Sequence, residues 1–154
     1  MRRRRYLAAL GTAISAAVAG CSGGQSTETG TPTPVPTPSR EDLVAEYRSQ
    51  LDERDIDVQT IEWDGTTLGL EYYSDAGSTS AFREEVQHVA VAVANSYGRY
   101  YGIDIDRFET TAYAYNDDVL GEFYVEAAWV EQLGDREISE DEYLQRVRDT
   151  VESI

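Results

Sequence analysis

The sequence predicts a single α+β domain over residues 39–154, in the order helix, strand, strand, helix, strand, strand, helix. Its expected form is a four-stranded antiparallel sheet with helices packed mainly on one face. Three observations predict it. Two pairs of stretches alternate apolar and polar residues around short polar turns, which is the period of a half-buried strand. Three further stretches repeat apolar residues every three to four positions, which is the period of an amphipathic helix. Each helical stretch also begins behind a Ser or a Ser/Thr cluster able to cap it.

The elements follow in order. Ser39 caps a first helix, with Asp42 in the fourth position of a capping box, and Leu43, Val44, Tyr47 and Leu51 share its inner face. Val58 to Trp63 and Thr66 to Tyr73 read as strands joined at Asp64-Gly65, a hairpin signal. Pairing Trp63 with Thr66 puts Ile61, Trp63, Leu68, Leu70 and Tyr72 on one face. A long helix, about Ala81 to Tyr100, starts from Ser78-Thr79-Ser80 and carries the stripe Phe82, Val86, Val89, Val93, Tyr97 and Tyr100. A second hairpin runs from Arg107 to Tyr115 and from Val119 to Trp129, turning at Asp117-Asp118. This sets Phe108, Thr110, Ala112 and Ala114 against Gly121, Phe123, Val125 and Ala127. The last helix starts at Ser139, with Glu142 completing a capping box, and buries Tyr143, Leu144, Val147 and Val151.

Composition narrows the setting. The 154 residues hold 29 Asp and Glu against 13 basic residues, all of them Arg. Four of those Arg lie in the first five positions, so the rest of the chain has a net charge near −20. Nucleic acid is excluded as a partner, because its phosphates would be repelled. Disorder is not expected either, since 41% of residues are hydrophobic and they are periodic. The difficulty is self-repulsion in the folded state. The Debye length falls from roughly 8 Å at about 0.15 M salt to roughly 3 Å at about 1 M. A folded domain this acidic and lacking Lys suits concentrated salt.

The first twenty residues combine a basic start, Arg2 to Arg5, with an Ala-rich run from Tyr6 to Gly20, as a secretory signal does. That run is short of the roughly 20 residues a spanning helix needs. Arg4 and Arg5, followed by Tyr6-Leu7, resemble a twin-arginine export signal. Val18-Ala19-Gly20-Cys21 resembles a lipobox, in which small residues admit a peptidase and the Cys sulfur carries lipid. Cys21 is the only cysteine, so no disulfide is expected. One acyl chain holds a membrane only marginally, so two are expected on Cys21. Residues 21–38 then read as a stalk after the lipidated Cys, rich in Thr and Pro through Thr31-Pro32-Thr33-Pro34-Val35-Pro36-Thr37. At about 3.1 Å per residue it would reach roughly 50 Å at most.

Among residues that could carry chemistry, His88 is the lone histidine, in Glu85-Val86-Gln87-His88. Glu-x-x-His occurs in carboxylate-bridged metal sites, which need two such motifs and further Glu. Asp104-Ile105-Asp106 and Asn116-Asp117-Asp118 lack the length, Gly and closing Glu of a calcium loop. No Gly-rich phosphate loop or Gly-x-Ser-x-Gly is present. No catalytic residue, metal or cofactor is therefore expected. The hairpin registers instead aim Glu71, Tyr73, Thr111, Tyr113, Tyr115, Glu122, Tyr124 and Glu126 away from the helices. Tyrosine is enriched at contact surfaces because it joins a rigid area to a hydroxyl. Tyr73, Tyr113, Tyr115 and Tyr124 are accordingly the candidate partner-binding face, set against the plainer reading that Tyr favours strands.

The chain resembles small haloarchaeal twin-arginine-exported lipoproteins of uncharacterised function, specifically over residues 1–38 and more loosely over the domain. The resemblance implies an address at the outer side of the cell membrane and a single residue role, lipidation of Cys21. Two functions remain open. One is a non-enzymatic module binding an envelope protein or a small solute. The other is a small surface hydrolase using carboxylates or a metal. The salt reading has a direct check: circular dichroism should show unfolding on dilution to low salt, and full retention of structure would count against it.

Overall fold

The computed structural model describes residues 38–153. The expectations for Arg4, Arg5, Cys21 and the stalk lie outside these residues. Helix α1 (Arg40–Asp52) begins at the reciprocal box read from the sequence: the Ser39 hydroxyl accepts from the Asp42 amide (3.2 Å) and the Asp42 carboxylate accepts from the Ser39 amide (3.1 Å). Strands β1 (Asp57–Asp64) and β2 (Thr67–Tyr73) form an antiparallel hairpin. Its two-residue turn is Gly65-Thr66, with Gly65 at φ +60°, as a turn of the II′ kind requires at its first central residue. Trp63 therefore pairs with Leu68, not Thr66. A shift of two residues preserves the faces, so Leu68, Leu70 and Tyr72 are buried and Ile61 and Trp63 lie half-buried beside them.

Helix α2 (Thr79–Tyr97) is capped by the Ser78 hydroxyl, which accepts from the Ala81 amide (3.2 Å). It carries the chain across the sheet to β3 (Arg107–Tyr113), which lies parallel to β2. The sheet is thus mixed, in the order β1-β2-β3-β4-β5, and the expected wholly antiparallel sheet is corrected. The reason is the crossover itself: a helix about as long as the strand returns the chain to the end from which β2 started. Strand β4 (Val119–Glu126) closes the second hairpin, with Phe108 opposite Val125, Thr110 opposite Phe123 and Ala112 opposite Gly121. The predicted core face is kept.

The strand expected to run to Trp129 stops at Glu126, where helix α3 (Ala127–Gly134) begins. Its N-cap residue Glu126 makes no side-chain capping bond, so nothing local announces the start, while Val125, Ala127 and Trp129 mimic strand alternation. Helix α4 (Glu140–Asp149) starts at Ser139, whose hydroxyl accepts from the Glu142 amide (3.2 Å). The expected capping box is only half formed, because Glu142 instead accepts from Arg146 at 2.7 Å. Two further residues, Glu152–Ser153, form β5 on the edge of β4. Beside them the Thr150 hydroxyl accepts from the Tyr124 amide (3.1 Å) and sits 3.0 Å from the Tyr124 carbonyl, so one side chain stands in for a missing strand residue. The opposite edge, β1, is left with a bulge between Val58 and Thr60 and with Asp57, Glu62 and Asp64 exposed.

The core lies between one sheet face and helices α1, α2 and α4. Tyr47 of α1 and Tyr97 of α2 meet Phe108 edge-on, with centroids 5.8 Å away in each case. Helix α2 buries Ala90, Ala92 and Ser96 besides its large stripe, because it is flanked by α1 and α4 and small residues admit close neighbours. The Tyr143 hydroxyl uses that space to donate to the Ala90 carbonyl at 2.7 Å, a bond worth about 1 kcal/mol net. Gly121 is required by the same crowding: a Cβ there would stand 2.9 Å from the Phe82 ring and 3.0 Å from the Glu152 carbonyl oxygen. Gly121→Ala should lower the denaturation midpoint by an amount matching about 1–3 kcal/mol of overpacking. Leu70→Ala, fully buried, should cost about 2–5 kcal/mol. Urea titration followed by circular dichroism measures both, and an unchanged midpoint for Gly121→Ala would mean that Phe82 gives way freely.

Candidate functional site

The sheet face away from the helices is the candidate site, and pairing sets its residues in rows. Tyr73 of β2 lies beside Tyr113 of β3. In the next row Thr60, Glu71, Thr111, Glu122 and Glu152 run from β1 to β5. Then come Glu62, Gly69, Glu109 and Tyr124, and after them Asp64, Thr67, Arg107 and Glu126. Burial alternates along β3 and β4, so the side chains of these rows are exposed or half-exposed while Phe108, Thr110, Ala112, Gly121, Phe123 and Val125 between them are buried.

Tyrosines gather at one end. Tyr73 and Tyr115 stack with centroids 5.3 Å apart and planes 26° from parallel. The Tyr73 hydroxyl donates to Asp117 at 2.6 Å, and that bond holds its pKa above the ordinary phenol value. The Tyr113 hydroxyl approaches Glu71 at 3.5 Å, and its pKa is raised by burial and by that carboxylate. Tyr115 is 66% exposed and belongs to the β3–β4 turn, since β3 ends two residues earlier than expected. The turn is held by its own side chains: Asn116 donates to Asp118 at 2.7 Å, and Asp117 takes φ +66°. Asn116-Asp117-Asp118 thus serves as turn structure.

At the other end Tyr124 stacks on Trp129 of α3 with centroids 6.0 Å apart. The Arg107 guanidinium lies 4.3 Å over the Tyr124 ring, donates to Glu126 at 2.7 Å and stands 3.5 Å from Glu109. The Glu126 bond raises its pKa above the ordinary guanidinium value. Between the two ends lies a shallow hollow of about 270 Å³, lined by Glu109, Thr111, Glu122, Tyr124, Thr150 and Glu152. Gly69 adds no side chain there, and a Cβ at 69 would meet only the Glu62 carbonyl at 3.6 Å, so the gap is not forced by backbone crowding.

The structure therefore brings Tyr73, Tyr113 and Tyr115 together at one end and places Tyr124 separately, past the acidic rows. Sequence reasoning left out Arg107, Glu109, Trp129 and Thr150. Arg107 and Glu109 alternate with buried residues in β3 and were readable from the same period. Trp129 and Thr150 reach the face only because α3 begins and α4 ends there. His88 is exposed, and its motif partner Glu85 instead accepts from the Tyr72 hydroxyl at 3.2 Å on the helix side of the sheet. Burial raises the Glu85 pKa. Among the described residues no group of three or more His, Cys, Asp or Glu is arranged to hold a metal.

No curated protein and no solved structure matches the chain. Residues 37–154 match the family described as Domain of unknown function (DUF8159), and the chain belongs to that family.

Proposed function

We propose that the protein is a non-enzymatic binding module of the outer cell surface of a halophilic archaeon, held to the membrane by lipid on Cys21. In this reading it engages an envelope protein or a solute through the open face of its sheet. One observation carries the binding half. Helices α1, α2 and α4 all pack on the other side, so Tyr73, Tyr113 and Tyr115 are presented on a face that none of these three helices covers. A large patch of rigid aromatic surface costs little side-chain entropy on contact and suits recognition. The anchoring half rests on the motif around Cys21 and on the Thr/Pro-rich segment that follows it.

Both halves are testable. Cys21→Ser should move the protein from the membrane fraction into the medium in fractionated cells. Retention with the membranes would remove the lipid anchor from the proposal. Tyr113→Ser with Tyr124→Ser should abolish the crosslinked neighbour on intact cells while circular dichroism stays native, because both side chains stand outside the buried core. Undiminished crosslinking would mean that the open face does not do the binding.

A further inference from the structure

We infer that the open face recognises a guanidinium group, carried by a basic, arginine-bearing segment of a partner protein and seated over Tyr113 between Glu71 and Glu122. This rests on the binding role proposed for the face and names the chemistry of its partner.

Charge makes the first case. The rows across β1 to β4 carry Glu62, Asp64, Glu71, Glu109, Glu122 and Glu126 against the single cation Arg107. Glu71 and Glu122 flank Thr111 in one row, so with strands about 4.8 Å apart they stand roughly 10 Å from one another. A cation placed between them would relieve their repulsion, and it would fit the width of a guanidinium with its two donor edges.

The face itself supplies the second case. Arg107 shows how a guanidinium sits here: over a tyrosine ring at 4.3 Å, hydrogen-bonded to one carboxylate at 2.7 Å and near a second at 3.5 Å. The far end repeats those parts, with the ring of Tyr113, Glu71 at 3.5 Å from its hydroxyl, and Glu122 one strand further. Among the described residues no arginine pairs with Glu71 or Glu122 or stacks over Tyr73, Tyr113 or Tyr115. One end of the face is therefore satisfied from within the chain, and the other has the same parts without the cation.

Shape selects a segment over a free small cation. The hollow is shallow, and the rows of Tyr113 and Tyr124 lie four residues apart along β3, roughly 13 Å. An extended chain can span that length, whereas a single small ion would leave most of the face unused. Screening favours contact recognition too: at about 1 M salt the Debye length is roughly 3 Å, so diffuse attraction fades while a stacked, hydrogen-bonded guanidinium keeps its neighbours.

The full chain should be titrated at molar salt with a short blocked peptide containing arginines, its citrulline counterpart of equal shape and no charge, and free arginine amide. Tyrosine ring resonances report binding. The arginine peptide should bind saturably, with the citrulline peptide weaker by about tenfold or more. Glu71→Gln with Glu122→Gln should remove that preference, and both sites are exposed, so the fold should persist. Equal binding of both peptides, or a preference unchanged in the double variant, would overturn the guanidinium assignment. Arginine amide binding as tightly as the peptide would overturn the partner segment in favour of a small solute. If no peptide binds while Tyr113 and Tyr124 still control crosslinking on cells, this inference falls and the open-face reading stands. If crosslinking is also indifferent to them, both fall.

Discussion

The parallel pairing of β2 with β3 is the constraint from which the rest of the structure follows. Adjacent parallel strands cannot be joined by a turn, so α2 must cross the sheet, and such crossovers keep one hand. That sets α2 over the middle of one face, where Val86, Val89 and Val93 are fully buried. Helices α1 and α4 then find apolar surface on either side of α2, and neither has a comparable reason to pack on the other face. The core and the bare tyrosine face are two results of one connection.

That connection also concentrates the cost of carboxylates on one side. On the helix side polar groups are few: Ser96 donates to the Ala92 carbonyl and Tyr143 to that of Ala90, while the buried hydroxyls of Tyr47 and Thr110 are left without a partner among the described residues. On the open side, rows of Glu stand beside one another with Arg107 as the lone cation. Charges at this spacing repel in dilute salt and cease to do so in concentrated salt. The same surface that would weaken the fold in dilute solution is the one proposed to meet a partner.

Much of the fold was legible because burial parity tolerates error. The first hairpin's register differs by two residues from that expected, yet Ile61, Trp63, Leu68, Leu70 and Tyr72 still share a face. Caps at Ser39, Ser78 and Ser139 marked three helices by a local hydrogen bond each. What was not legible has no local cause. Ala127–Gly134 lacks a capping side chain and continues the alternation of β4, so only packing against α2 and α4 makes it a helix. Strand direction between β2 and β3 is likewise a tertiary matter. The site followed the same division: Tyr73 and Tyr113 were placed by parity alone, whereas the stack of Tyr73 on Tyr115 needed the parallel register and the turn, and the seat of Arg107 over Tyr124 needed the register of β3 on β4.

The hydroxyl of Thr150 has a wider consequence through the edge it occupies. With β5 on Gly121 and Glu122 and Thr150 on Tyr124, the middle of the outer side of β4 is taken by residues 150–153. Among the described strands the sheet keeps two outer borders, β1, which is bulged and acidic, and β5, which is only two residues long. A filament grows only if each unit offers two sticky borders, and both of these are poor templates, one bulged and charged and the other too short to hold a ladder. Edge-to-edge joining of copies is thus disfavoured at either border, which limits runaway assembly even where molar salt removes the repulsion that normally keeps acidic proteins apart.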